Sequence, residues 1–332
     1  MTGFDDQQKQ WLQGFVSGLE ARKAADKLTN RSAASAVPSS LDTLQTAAQD
    51  RVLTAGGKLV AEETAKRQRH PLDRMDEILG RAKAGQFPKG IDVFLTKYQG
   101  LFYVAPAQDS FMCRLRIPNG ILSAWQFRGL ADAADTYGGG LADLTPGAKL
   151  QNPEIGAARA VDLLEAVQAL GLTARGSGAD NIRNITGSAT AGIDSQELLD
   201  TRPLCNAMHH HILNHREMYG LPRKFNIAFD GGGRVPTLED TNDIGFVACQ
   251  VTGGSLEPGI YLHLQLGGIT GHLDFAFETG ILLRPDECVN VAAAVVRVFV
   301  AHGDRTNRQK ARLKYVLDRM GRDAFVAEVD KE

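Results

Sequence analysis

Apolar residues recur every three or four positions over residues 4–19 (Phe4, Trp11, Leu12, Phe15, Leu19), which predicts an amphipathic helix. Residues 24–48 are rich in Ala, Ser and Thr and read as a flexible arm. A helix is predicted over 72–84, with Pro71 near its first turn. Two apolar clusters around Gln99-Gly100 predict a pair of strands within 91–104. A further strand follows over 111–117, in which Arg114 and Arg116 share one face and Cys113, Leu115 and Ile117 the other. Helices are then expected at 121–137 and, opened by Pro153, at 154–170, with a short strand at 141–144 between them.

Downstream, the pattern predicts a long helix over 195–219 and a strand over 221–229 that puts Lys224, Asn226 and Ala228 on one face. Strands at 244–251 and 260–266 should pair as a hairpin, and helices at 289–302 and 307–329 finish the chain. The whole reads as α+β, divided into a helical N-terminal arm and linker (1–85), a strand-rich lobe (86–172) and an α/β lobe (173–332).

Composition narrows the function classes. With 43% hydrophobic and 23% charged residues the chain is an ordinary globular protein, and a formal charge of -2 argues against a general binder of nucleic acid or of a membrane surface. The apolar run 289–301 is interrupted by Arg297 and too short to span a bilayer, and the polar start carries no signal segment, so the expected location is the cytoplasm. The four cysteines lie far apart without a Cys-x-x-Cys, which makes neither a zinc nor an iron–sulfur ligand set legible; they read as reduced core thiols.

Three features carry chemistry. The stretch 176–194 is a polar loop with four glycines and Arg183 in its middle; it can present a cation and backbone N–H groups to an anion, or be an ordinary connection. Arg114 and Arg116 suit a carboxylate-rich ligand between them, or an exposed sheet face. His211 and His215 have the four-residue spacing of some zinc sites, but no third ligand is indicated, so no metal site is assigned. The basic run 66–70 reads as a solvated face, with a docking surface for an acidic partner as the weaker alternative.

The segments around Arg114 (Phe-Met-Cys-Arg-Leu-Arg-Ile-Pro-Asn-Gly), Arg183 (Ser-Gly-Ala-Asp-Asn-Ile-Arg-Asn-Ile-Thr-Gly-Ser) and Lys224 (Leu-Pro-Arg-Lys-Phe-Asn) resemble the ferredoxin-dependent nitrite and sulfite reductases, as do Asp200-Thr201-Arg202-Pro203 and the stretch 267–272. The resemblance covers about residues 72–329 and implies a ferredoxin-like half lobe at 86–172 and a siroheme-reductase lobe at 173–332. It implies siroheme and a 4Fe-4S cluster as cofactors, nitrite or sulfite as substrate, and ferredoxin as electron donor. By the same resemblance Arg114, Arg183 and Lys224 form the catalytic anion pocket with Asn226 as a further substrate contact. Arg116, Gln151, Asn181 and Asn184 are the implied cofactor contacts. Sulfite reductases tend to carry a second lysine where this chain has Asn226, so nitrite is favoured, with sulfite as the alternative.

Two departures matter. The sequence corresponds to the first of two related halves, and the family's cluster and axial-ligand cysteines belong to the other. Where the family has Thr-Thr-Arg-x-x-x-Gln-x-Arg at the siroheme, this chain has Gly147 and Pro153 in place of the two arginines, with Lys149 between them. The expectation is a half that is inactive by itself, completed by a separate half or covered by self-association; the alternative is a non-catalytic anion- or tetrapyrrole-binding remnant.

Overall fold

The computed structural model describes residues 42–104 and 109–332. The helix expected at 4–19 and most of the expected arm lie outside them. The end of that arm is helical: α1 (Thr43–Thr54) is followed by α2 (Ala61–Gln68) and α3 (Met75–Lys83). The apolar pattern misses α1 because polar groups anchor it. Gln45, buried, donates through Nε2 to the carbonyls of Tyr219 (2.7 Å) and Glu217 (3.0 Å), and Gln49 donates to Glu63 Oε2 (2.9 Å).

The first lobe is a four-stranded antiparallel sheet in the order β1-β2-β4-β3, made of β1 (Leu101–Val104), β2 (Ser110–Arg114), β3 (Asp143–Leu144) and β4 (Leu150–Ile155). The first of the two strands expected at 91–104 is instead α4 (Asp92–Leu95) and a 3-10 turn (Thr96–Gln99). Ile91, Leu95 and Tyr98 fall at helical spacing, and Leu95 and Tyr98 are buried. Gly100 ends the turn at φ +81° and is required there, because an added Cβ would lie 2.5 Å from Ala174 Cβ. The second helix of this lobe also begins later than expected. Pro153 sits inside β4 at a bulge, between the pairs Phe111–Ile155 and Cys113–Asn152, with Glu154 at φ +61°. The bulge needs no ladder N–H from the proline. Helices α5 (Ala124–Tyr137, with a Ser123/Gln126 capping box) and α6 (Ala160–Ala169) cover the sheet.

The second lobe is a five-stranded mixed sheet in sequential order, β5 (Thr186–Gly187), β6 (Ile227–Asp230), β7 (Ile244–Val251), β8 (Gly259–Leu266) and β9 (Phe277–Leu283). The expected hairpin is β7–β8, in register from Ile244–Leu266 to Val251–Gly259. The long helix expected at 195–219 is shorter, α7 (Arg202–Asn214), and the strand expected at 221–229 is only β6, because 221–226 turns against the Arg183 loop. Leu221 N donates to Asp180 O, Phe225 N to Asn181 O, and Arg183 N to Phe225 O. The buried α8 (Cys288–His302) follows, and the last expected helix is two, α9 (Leu313–Met320) and α10 (Arg322–Val329), broken at Gly321 with φ +85°.

The core of this lobe runs through Phe229 and Phe246, fully buried and stacked with centroids 4.8 Å apart. Phe229→Ala is expected to lower unfolding stability by about 3–5 kcal/mol, read from urea midpoints; a change below about 1 kcal/mol would contradict that packing. Burial, reinforced by Arg116 and His210, pushes the buried His209 down to about 3. The unfolded chain, with a histidine near about 6.5, therefore takes up its proton first, so this stability is complete above about pH 6.5 and is lost as pH falls toward 3. His209→Gln should flatten the fall in melting temperature between pH 7 and 4, and an unchanged slope would exclude the linkage.

Candidate functional site

The Arg183 loop is assembled from below by side chains that the resemblance assigned to a cofactor. Arg116, 1% exposed, donates to the carbonyls of Ile182 (2.7 Å), Arg183 (3.2 Å) and Gly176 (3.3 Å). Asn181, fully buried, donates to Gly178 O (2.7 Å) and accepts from Gly220 N (3.3 Å). Asn184 accepts from Ile117 N (2.9 Å) and donates to the carbonyls of Ile117 (2.6 Å), Ala148 (3.0 Å) and Gly147 (3.1 Å). These three residues build the loop. Apart from Arg116 Nε, which has no partner among the described residues, the groups of these side chains that bond do so to protein backbone in the interior. Gly178 is required by close approach, since a Cβ there would meet Phe102 Cζ at 2.4 Å.

The expected pocket cations lie above this floor. Arg183, half-buried, donates to Ser177 O (2.7 Å) and Ala179 O (2.9 Å) and lines a cavity of about 570 Å³ with Lys97, Phe102, Arg223 and Arg308. Arg114, at the end of β2, lies 4.1 Å from the centroid of Phe102. Lys224 and Asn226 line an adjoining cavity of about 580 Å³ that also takes in Arg223, Arg308, Arg312 and His272. Gln151, buried in β4, pairs across the sheet with Arg114.

These cations act on one another. Burial, then Arg114, Arg223 and Arg116, pull Arg183 down to about 10 against the opposing pull of Asp180. Burial and then Arg312, Arg183 and Arg223 lower Lys224, and burial and then Arg114, Arg183, Arg308 and Arg223 lower Lys97. Mutual repulsion of this kind raises affinity for whatever anion enters.

Sequence reasoning missed what holds the cations together. Asp180, fully buried, accepts two 2.8 Å bonds from Arg308 and one of 3.2 Å from Lys66. Lys66 also donates to Leu221 O (2.8 Å) and is paired with Glu63, which takes Arg305 at 2.6 Å. Lys66 is therefore a buried tie, correcting the solvated face expected for 66–70; its spacing from Glu63 was the one available signal. Asp243 plays the same part for the second cavity, accepting from Arg312 (2.7 and 3.1 Å) and from the backbone N of Asn226 (2.8 Å).

His211 and His215 stack with centroids 3.9 Å apart, and among the described residues no group of three or more His, Cys, Asp or Glu is gathered as for a metal. Cys113, Cys205 and Cys288 are buried and Cys249 half-buried; burial pushes Cys113 to about 12, and burial with Glu287 and Asp286 pushes Cys288 to about 12. Among the described residues no helix is long and apolar enough to cross a membrane.

Fold and site thus define an α+β protein with a ferredoxin-like half domain and a surplus of cations facing paired cavities. The family model for the nitrite and sulphite reductase 4Fe-4S domain matches residues 178–332, and that for the nitrite/sulfite reductase ferredoxin-like half domain matches 104–170. The chain belongs to the nitrite and sulfite reductase family, closer to the nitrite reductases. It is 37% identical over 243 residues to the ferredoxin–nitrite reductase of Leptolyngbya laminosa (71% of this chain, 47% of that protein) and 32% identical over 249 residues to the chloroplastic enzyme of Zea mays (73% and 43%). The structure of Mycobacterium tuberculosis NirA matches with a TM-score of 0.75 at 25% identity, over 84% of this chain and 54% of that one. A dissimilatory sulfite reductase, DsrI, shares the fold at a TM-score of 0.56 and 12% identity, over 66% of this chain and 69% of that one. The chain spans about half the length of the curated relatives it matches.

Asp180→Asn should leave Lys66 and Arg308 with only part of their charge compensation, from Glu63 and Glu62, and lower stability by about 3 kcal/mol in urea unfolding. A neutral result would remove Asp180 from its place under the site.

Proposed function

We propose that this chain is the anion-binding half of a ferredoxin–nitrite reductase-type oxidoreductase. The observation that carries the reading is a surplus of cations at two adjoining cavities, Arg183 on one and Lys224 on the other with Arg223 and Arg308 on both, with Arg114 close enough to act on Arg183. The nearest carboxylates, Asp180 and Asp243, are already bonded to Lys66, Arg308 and Arg312. Such a set fits a small oxyanion and the carboxylate rim of a siroheme.

The cysteines do not fit the cluster. A 4Fe-4S cluster takes thiolates, and Cys113, Cys205 and Cys288 are interior thiols held in the neutral form. Cluster ligation is therefore assigned to a cysteine-bearing half outside this sequence, and ferredoxin docking to the assembly of the two. When bound, siroheme and its cluster would relay, one at a time, the six electrons that reduced ferredoxin delivers for taking nitrite to ammonium. This chain's residues hold the substrate: Arg114, Arg183 and Lys224 offer N–H donors to its oxygens, and charged donors in a partly closed cavity also favour protonation of oxygen as it leaves as water. Asn226 in place of a further cation suits nitrite, which bears less charge than sulfite. Gln151 is retained as a cofactor contact; Arg116, Asn181 and Asn184 position the loop. The lobes are assigned as 86–172 and 173–332, and the location as cytoplasmic.

The test is the absorbance spectrum and iron content of the chain purified from a siroheme-making host, followed by nitrite titration. A siroheme band, nitrite binding weakened about tenfold or more by Arg183→Gln, and no ammonium from the chain alone with reduced ferredoxin are expected. A colourless chain that binds no nitrite would overturn the reading, as would steady ammonium production by the pure chain.

A further inference from the structure

The connection between β8 and β9, residues 267–276, forms one wall of the cavity that holds Lys224. Its base is fixed on both sides to residues 240–243, just before β7. Gly267 N donates to Asp243 O (2.9 Å), Gly268 N to Asn242 O (2.9 Å) and Ala276 N to Asp240 O (2.6 Å). Gly268 is required by this close approach, since a Cβ there would lie 2.2 Å from Asp240 O. Ile269 and Asp274 then exchange backbone bonds (2.8 and 3.3 Å), which leaves 270–273 as the tip. Thr270, Gly271 and His272 of that tip line the cavity, and Leu273 closes it at φ +61°.

The start of α9 grips this connection from the other side. Arg312 bonds to Asp243 (2.7 and 3.1 Å), Lys314 lies 3.5 Å from Asp274, and Tyr315 Oη lies 2.5 Å from His272 Nδ1 with the two rings edge to face. Tyr315 N also donates to Arg312 O (3.1 Å), so the two residues sit one above the other, and the Arg312–Asp243 ion pair adjoins the His272–Tyr315 pair. Among the described residues Tyr315 Oη has no second hydrogen-bond partner. A phenol is a stronger proton donor than a neutral imidazole N–H, so the tyrosine proton goes to Nδ1. Nδ1 is then the acceptor of the ring and Nε2 carries the hydrogen. That second nitrogen has no partner among the described residues, and the exposed ring borders the cavity.

The cavity lining is thereby uneven. Arg223, Lys224, Arg308 and Lys310 bring charge to it, whereas the tip of the connection and α9 bring the neutral groups of Thr270, His272 and Tyr315. We propose that His272 is a ligand-contact residue of this second cavity, donating through Nε2–H to an anionic oxygen held by the cations, and that Tyr315 is its positioning residue, fixing tautomer and ring. A neutral donor adds a directed hydrogen bond without adding charge to a basin whose cations already repel one another. The ligand chemistry is an oxygen anion, either a small oxyanion or the carboxylate of a larger molecule. The inference deepens the anion-binding reading above and rests on it for the class of ligand.

The test uses the full chain with 15N-labelled histidine at about pH 8, the His272 signals being those lost in His272→Gln. Two-bond 1H–15N correlation should show Nδ1 unprotonated and Nε2 protonated, and Tyr315→Phe should release that preference. The probes are nitrite and, separately, uroporphyrin, a tetrapyrrole polycarboxylate. A shift of His272 Nε2 with nitrite places the contact on a small oxyanion, and a shift with uroporphyrin alone places it on a carboxylate; either supports the proposal. By calorimetry His272→Leu should weaken the responding probe about fivefold and Tyr315→Phe about threefold, while His272→Gln, whose amide keeps a donor near Nε2, recovers most of the loss. An Nδ1–H tautomer in the free protein, or His272→Leu binding like the wild type, overturns the proposal. Binding of either probe without a His272 response overturns it and leaves the anion-binding reading intact. A chain that holds no siroheme yet shows the His272 response overturns the reductase reading and leaves this inference standing.

Discussion

A single interior carboxylate, Asp180, is the constraint on which the site depends. It draws Lys66 from the N-terminal helices and Arg308 from the C-terminal region onto the loop that also presents Arg183. Burying one charge is costly, and burying several of like sign is worse; Asp180 and Glu63 between them offset Lys66, Arg305 and Arg308 at short range. Three segments distant in sequence thus become one platform. The pairing is directional as well as electrostatic, because Arg308 meets Asp180 through two parallel bonds that fix its orientation.

With that platform settled, several neighbouring cations carry no ion pair among the described residues. Arg114 rests on Phe102, Lys224 is carried on a turn whose next-but-one backbone N–H is held by Asp243, and Lys149 is carried on a turn clamped by Asn184. Folding energy spent on holding like charges together is recovered when an anion arrives, which is how a protein of slightly negative formal charge can present a strongly cationic basin. The buried asparagines and Arg116 belong to this support. Their hydrogen-bonding groups are directed at backbone carbonyls and amides of the loop.

Elements with a long, uniform hydrophobic period were legible from sequence. The buried α8 and the β7–β8 hairpin appear within about one residue of their expected limits, because periodicity over many residues averages out local exceptions. Short elements were not. Residues 92–99 became helical where strands were expected, since four apolar residues in eight fit either period, and Pro153 entered a strand at a bulge. The end of the supposed arm became α1 through two buried glutamines, a means of anchoring that leaves no apolar stripe.

The sequence by itself determined the α+β class, the family, and the residue types able to meet an anion, because motif order and side-chain chemistry are local properties. The tertiary structure alone decided which of those residues face open space. Arg114 and Arg116 are two positions apart, at and just beyond the end of β2, yet one is half-buried against Phe102 and the other is sealed beneath the loop, and no spacing rule separates them. The same holds for Lys66, read as solvated and found buried. Charge partners are set by long-range contacts between segments a hundred or more residues apart, as Asp180 shows with Lys66 and Arg308. Only the folded chain brings those segments within reach of a hydrogen bond.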